Sequence, residues 1–118
     1  MRGKKILECR IFGRISSWSN PPHEETWKSN LEEQLSRMKP QELAHVQKFS
    51  VKIDFYINKD RIEKGNYLDN LAKPVLDSLI KTGFIPDDSL VYHLELSRRP
   101  ITERNEYISI CLWEWLCQ

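Results

Sequence analysis

Five side chains between Leu68 and Ser89 have types and spacing that suit chemistry on a phosphate: Asp69, Lys73, Asp77, Asp87 and Asp88. Hard cations such as Mg²⁺ take carboxylate oxygens and keep several waters, so two or three aspartates suffice to hold one. A lysine beside them can neutralise a phosphate or a leaving oxygen. The same residues also have ordinary uses. Aspartates cap helices and complement the helix dipole, and Asp77 with Lys81 is a normal i,i+4 pair. Asp-Asp after Pro86 suits a turn. Spacing alone leaves the metal reading and the structural reading both open.

The element that must position these groups is a helix. Leu68, Leu71, Ala72, Val75, Leu76, Leu79 and Ile80 form one apolar stripe of helical period. Asp69, Lys73 and Asp77 step by four along one edge of it. Gly83 stops the helix and Phe84-Ile85-Pro86 turns the chain. Pro74 lacks an N–H and clashes one turn back, so the helix is expected to begin near Asn70 or Leu71, with Asp69 at its start. Asp87-Asp88 stand at the mouth of the next apolar run. A helix out and a strand back are expected to bring Asp88 close to Asp69.

The run L-D-N-L-A-K-P-V-L-D-S-L followed by G-F-I-P-D-D-S-L-V resembles the signature of the RusA family of Holliday junction resolvases, D-[LI]-D-N-x-x-K-x-x-x-D-x-L, a spacer, then D-D-x-x-V. The match covers Asn66 to Val91, about a fifth of the chain. The resemblance implies a homodimeric endodeoxyribonuclease that resolves four-way DNA junctions by paired nicks, with Mg²⁺ as cofactor and Mn²⁺ as a substitute. On this chain it implies Asp69, Lys73 and Asp88 as catalytic residues and Asp69, Asp87 and Asp88 as metal ligands. It also favours phosphate contacts from Lys59, Arg61 and Lys64, just before the motif; Arg98 and Arg99, at the expected end of a strand, are further candidates in their own right. The family's first aspartate falls on Tyr67 here. A phenol stays protonated at neutral pH and is a poor Mg²⁺ ligand. The alternative is therefore a protein that binds branched DNA without cutting it. A third reading is an interaction module whose acidic patch is only surface.

Around the motif, 118 residues suit one domain, 1–118, with a modest core. The chain is 40% hydrophobic and 30% charged, a soluble globular balance. No apolar run reaches the ~18 residues of a membrane span, and the basic start leads into alternation, so no membrane partner and a cytoplasmic setting are expected. The net charge of +1 is not the strongly basic profile of a typical nucleic-acid binder, although carboxylates held on a metal no longer repel a phosphate backbone. Cys9, Cys111 and Cys117 show no metal spacing and read as reduced thiols. There is no Gly-rich phosphate loop, so no nucleotide cofactor is expected.

Alternation predicts strands over Lys4–Ile15, Phe49–Ile57, Leu90–Leu96 and Glu106–Leu116. A helix is predicted over Glu24–Met38, with Trp27, Leu31, Leu35 and Met38 on one face, and a short helical turn over Pro40–Val46. Trp18 reads as a cover for a core edge, and His93 as a structural strand residue. Arg98-Arg99-Pro100 is expected to end the third strand. The last strand, apolar on both faces, is either central or packed on a partner chain. The order β-α-(α)-β-α-β-β makes one α+β domain of RusA-like type, a mixed sheet with helices mainly on one face.

Overall fold

In the computed structural model, residues 1–17, 23–38, 46–61 and 68–116 are described. The elements run β1 (Arg2–Phe12), α1 (His23–Ser36), β2 (Phe49–Asn58), α2 (Leu68–Lys81), a 3₁₀ turn (Asp88–Leu90), β3 (Val91–Ile101) and β4 (Tyr107–Trp115). The strands form one sheet in the order β1-β4-β2-β3. β4 is antiparallel to both β1 and β2, and β3 is parallel to β2. The fold is α+β, as expected. Trp18, the short helical turn up to residue 45, and Cys117 lie outside the described residues.

The period-two pattern of β2 sets the core. Phe49, Val51, Ile53, Phe55 and Ile57 are all fully buried on one face. They form one cluster with Ile108, Ile110 and Leu112 of β4, Trp27, Leu31 and Leu35 of α1, and Leu71, Ala72, Val75 and Leu79 of α2. Both helices therefore cover the same face. β4 is apolar on both faces because it is central: β1 and β2 flank it. Its second face carries stacked side chains. Arg2 lies 4.0 Å over Trp113, His93 stacks on Trp115 at 4.7 Å, and Tyr56 stacks on Tyr107 at 4.4 Å. His93 also makes a 2.9 Å hydrogen bond with the Ser50 hydroxyl, which gives it the structural role expected of it. Burial pushes the Cys9 thiol up to about 11, with Cys111 adding to the shift.

Several boundaries differ from the sequence reading. β1 runs Arg2–Phe12 rather than Lys4–Ile15, and α1 ends at Ser36 rather than Met38. Two further differences bear on the motif and the sheet edge. α2 begins at Leu68, so Pro74 lies inside it. The ring is buried in the core, which offsets part of the cost of the missing N–H. Downstream, the Ser78 hydroxyl donates to the Pro74 carbonyl at 2.8 Å. β3 does not stop at Arg98-Arg99-Pro100 but continues to Ile101. It is an edge strand, where proline is tolerated. A register shift between Phe49 and Ser50 pairs them with Val91 and His93, skipping Tyr92, which is 54% exposed. Val91, not Tyr92, packs against the core.

One buried carboxylate ties the ends of three strands together. Glu106, 4% exposed, accepts from the Ile15 amide at 3.2 Å and the Asn58 amide at 3.0 Å. It also pairs with the Arg61 guanidinium, which in turn donates to the Ile15 carbonyl at 2.8 Å. Removing one partner of a buried pair leaves the others unsatisfied. Glu106→Ala is therefore expected to destabilise the fold by about 3 kcal/mol and to lower the thermal midpoint by on the order of 10 °C. Glu106→Gln, which keeps an acceptor, should lose less. Thermal denaturation followed by circular dichroism measures both.

Candidate active site

α2 presents the motif because its apolar stripe faces inward and its charged edge outward. Asp69 lies in the first turn, where a carboxylate complements the helix dipole, and Lys73 follows one turn on; both are exposed. Asp77, the third member of the row, points to the neighbouring helix instead. Its carboxylate lies 3.8 Å from the Lys28 ammonium of α1, and Lys81 lies 3.3 Å from Glu32. These two pairs strap α1 to α2 in parallel. Asp77 thus serves helix packing, rather than holding Lys73 or Lys81 in place.

The Asp87-Asp88 pair divides into two roles. Asp87 is the N-cap of the 3₁₀ turn. Its carboxylate accepts from the Ser89 hydroxyl at 2.9 Å and the Ser89 amide at 3.5 Å. The Ser89 hydroxyl, then Asp88 and the Ser89 amide, hold the Asp87 carboxyl below the usual aspartate range. Asp88, the first residue of the turn, is exposed, and no ion pair holds it among the described residues. Asp69 likewise makes no ion pair among them.

The three expected metal ligands do not converge in one chain. Asp69 opens α2, whereas Asp87 and Asp88 follow its C-terminal end. Among the described residues no group of three His, Cys, Asp or Glu side chains is placed to hold a metal ion. The expectation that a helix and a returning strand bring Asp88 to Asp69 is corrected by this topology. The return runs past the end of the helix into the far end of the sheet, where Val91 pairs with Phe49.

The cations before and after the motif are also sorted by the structure. Arg61 is half-buried against Glu106, so its charge is neutralised within the fold. This fits a structural role better than a phosphate contact. Arg99 lies 3.5 Å from Asp54, which also accepts from Ser97. Lys59 and Arg98 are exposed, while Lys64 and Tyr67 lie outside the described residues. The sequence reading missed Arg14 and Arg104. Both are exposed and line a groove of about 920 Å³ together with Asn58, Arg61, Asn105 and Glu106. They are far apart in the chain and carry no local motif. Only the shared sheet end, from which the chain also passes towards α2, brings them together.

A search of curated proteins returned no match at the significance required. The family model for endodeoxyribonuclease RusA matches residues 12–110 of the 118. That span encloses both helices, β2, β3 and every residue of the motif, and it covers well over half of the chain. On that match, the chain belongs to the RusA endodeoxyribonuclease family.

Proposed function

We propose that this protein is a divalent-metal-dependent, structure-specific endonuclease that nicks four-way DNA junctions in pairs, as a homodimer and in the cytoplasm. The observation that carries the reading is the family match over 12–110, which encloses Asp69, Lys73 and Asp88. These three side chains are exposed, whereas Asp77 is half-buried and pairs with Lys28 of α1.

Carboxylates are the donors a hard cation needs, so their chemistry fits Mg²⁺, with Mn²⁺ as a substitute. Among the described residues of a single chain, no group of three such side chains is placed to hold it. When bound, such a cation supplies an activated water and charge neutralisation. Lys73 would offset charge on the scissile phosphate or the leaving oxygen. Asp87 holds the turn that presents Asp88. Arg14 and Arg104, with Lys59 and Arg98, are the cations proposed to meet the sugar-phosphate backbone. A formal net charge of +1 counts the whole chain, whereas backbone contact depends on where the cations stand, and Arg14 and Arg104 line one groove. A two-fold partner suits a two-fold junction that needs paired cuts.

Tyr67 favours a second reading, in which the chain binds branched DNA without cutting it. Incubating the protein with a synthetic four-way junction, with and without Mg²⁺, separates the two. Nicking only with the metal is expected. Binding without nicking in either Mg²⁺ or Mn²⁺ would move the protein to the second reading.

Asp88→Asn is expected to abolish nicking and spare folding, whereas Asp87→Ser, which retains a capping oxygen, should keep much of the activity. Lys73→Ala should reduce the rate by about 100-fold with junction affinity little changed. Junction affinity should fall steeply with salt, and Arg14→Ala and Arg104→Ala should each lower that slope by about one. Filter binding across a salt series reads this out, and a flat dependence would remove DNA as the partner.

A further inference from the structure

Phe12, Tyr107, Tyr56 and Arg99 form one row across the sheet, on the face that the helices leave open. Strand pairing sets Phe12 against Tyr107, Tyr107 against Tyr56 and Tyr56 against Arg99. The three rings stack along that row. Tyr56 and Tyr107 lie 4.4 Å apart at 11°, and Phe12 and Tyr107 lie 5.0 Å apart at 34°. The facing sides of these rings are therefore used by one another. Phe12 ends the row on β1, an edge strand, so no strand stands beyond it. It is 53% exposed.

A single exposed phenylalanine is normal on a protein surface. This one is held rigid and set among cations. The Asn30 and Gln34 amides of α1 donate to the Phe12 carbonyl at 2.9 and 3.0 Å, and the Gly13 amide donates to the Glu106 carbonyl at 3.1 Å. Glycine at 13 permits this approach, since a Cβ there would lie 2.4 Å from Asn30 Nδ2. The ring is thus positioned before any ligand arrives, which lowers the ordering cost of contact. Arg10 lies 5.6 Å over the Tyr107 ring, and Arg14 and Arg104 share the groove of about 920 Å³ that Phe12 also lines. Arg10, Arg14 and Arg104 are exposed and form no ion pair among the described residues. Of the nearby carboxylates, Asp54 is paired with Arg99 and Glu106 with Arg61. Asp60 remains in the groove against Arg14 and Arg104.

An open ring face beside cations suits a ligand that joins a π-face to a negative charge by a short connection, which is the chemistry of a nucleotide. Arg14 is two residues from Phe12, at most about 7 Å along the backbone. Resting on DNA as the partner in the endonuclease reading, we infer that the Phe12–Tyr107–Tyr56 row is a base-stacking platform. An unstacked base continues the row on the outer face of Phe12, and the phosphates of its strand lie along Arg14 and Arg104. Bases in a continuous duplex are already stacked on both sides and offer no face. The platform therefore engages DNA only where stacking is interrupted, as at a branch point. It separates branched from linear DNA without reading sequence, because every base has a π-face.

Fluorescence anisotropy in EDTA, which prevents cleavage, tests this with the full chain. The probes are a labelled oligothymidine, whose bases stack weakly, and a blunt duplex of the same length. Phe12→Ala is expected to weaken oligothymidine binding about tenfold and duplex binding by about twofold at most. Phe12→Trp, which restores a π-face, should recover the wild-type affinity. Phe12→Leu, which restores only apolar volume, should not. Arg14→Ala should weaken binding of both probes. No effect of Phe12→Ala on oligothymidine, an equal loss on both probes, or full recovery by Phe12→Leu overturns the platform. An equal loss accompanied by dissociation of the protein in sedimentation also overturns it, and assigns the row to an interface between copies of the chain.

A second measurement needs no variant. Oligothymidine carrying one iodouracil is bound to the wild type and irradiated, and the adduct is mapped by peptide mass spectrometry. Attachment at Phe12, Tyr107 or Tyr56 is expected, and adducts confined to other residues overturn the inference. Nicking of a four-way junction in Mg²⁺, measured separately, decides the endonuclease reading. A wild type that nicks the junction but binds no oligothymidine keeps that reading and removes the platform. Phe12-dependent binding without nicking does the reverse.

Discussion

The Glu106 carboxylate is the interaction on which the far end of the sheet depends. A carboxylate so deeply buried is costly unless each lone pair is used, and here it is used by two backbone amides and a guanidinium. The three partners come from the segment after β1, the end of β2 and the turn that follows it. One side chain thus fixes where the chain leaves the sheet on its way to α2. Arg61 completes the arrangement by also satisfying the Ile15 carbonyl. The groove with Arg14 and Arg104 lies against this same knot, so its shape follows from the buried pair.

The parallel pairing of β2 and β3 imposes the second constraint. A parallel pair needs a crossover, and here the crossover is α2. The helix must then start near one end of the strands and finish near the other. Residues at its N-terminus and residues just before β3 are held apart by the connection that joins them. The acidic motif straddles this crossover, so its two halves stand at opposite ends of α2.

Charge is distributed according to the same architecture. Along the outer edge of α2, the residues nearest α1 are paired across the helices, and those nearest the N-terminus face solvent. On the helix-free sheet face, Arg2 bridges Trp113 and Glu95, and Arg99 sits against Asp54. Many of the basic residues are thereby committed within the fold. A formal net charge of +1 says little about the surface left for a polyanion.

The period of the apolar residues was enough to identify β2, α1 and α2, because burial on one face leaves its mark at every second or every third and fourth residue. For β4 it left a central place and a partner-covered face both open, and the sheet order decided. The D-N-x-x-K and D-D-x-x-V spacings were enough for the family, since they are local. Tertiary structure decided what depends on distant pairs. It turned Asp77 toward Lys28, spent Arg61 on Glu106, and joined Arg14 to Arg104 across ninety residues of chain. It let β3 run through Pro100, because edge position rather than composition determines whether proline is tolerated. It also separated Asp69 from Asp88. Sequence spacing fixes how many residues lie between two groups, whereas strand direction fixes which way those residues carry them.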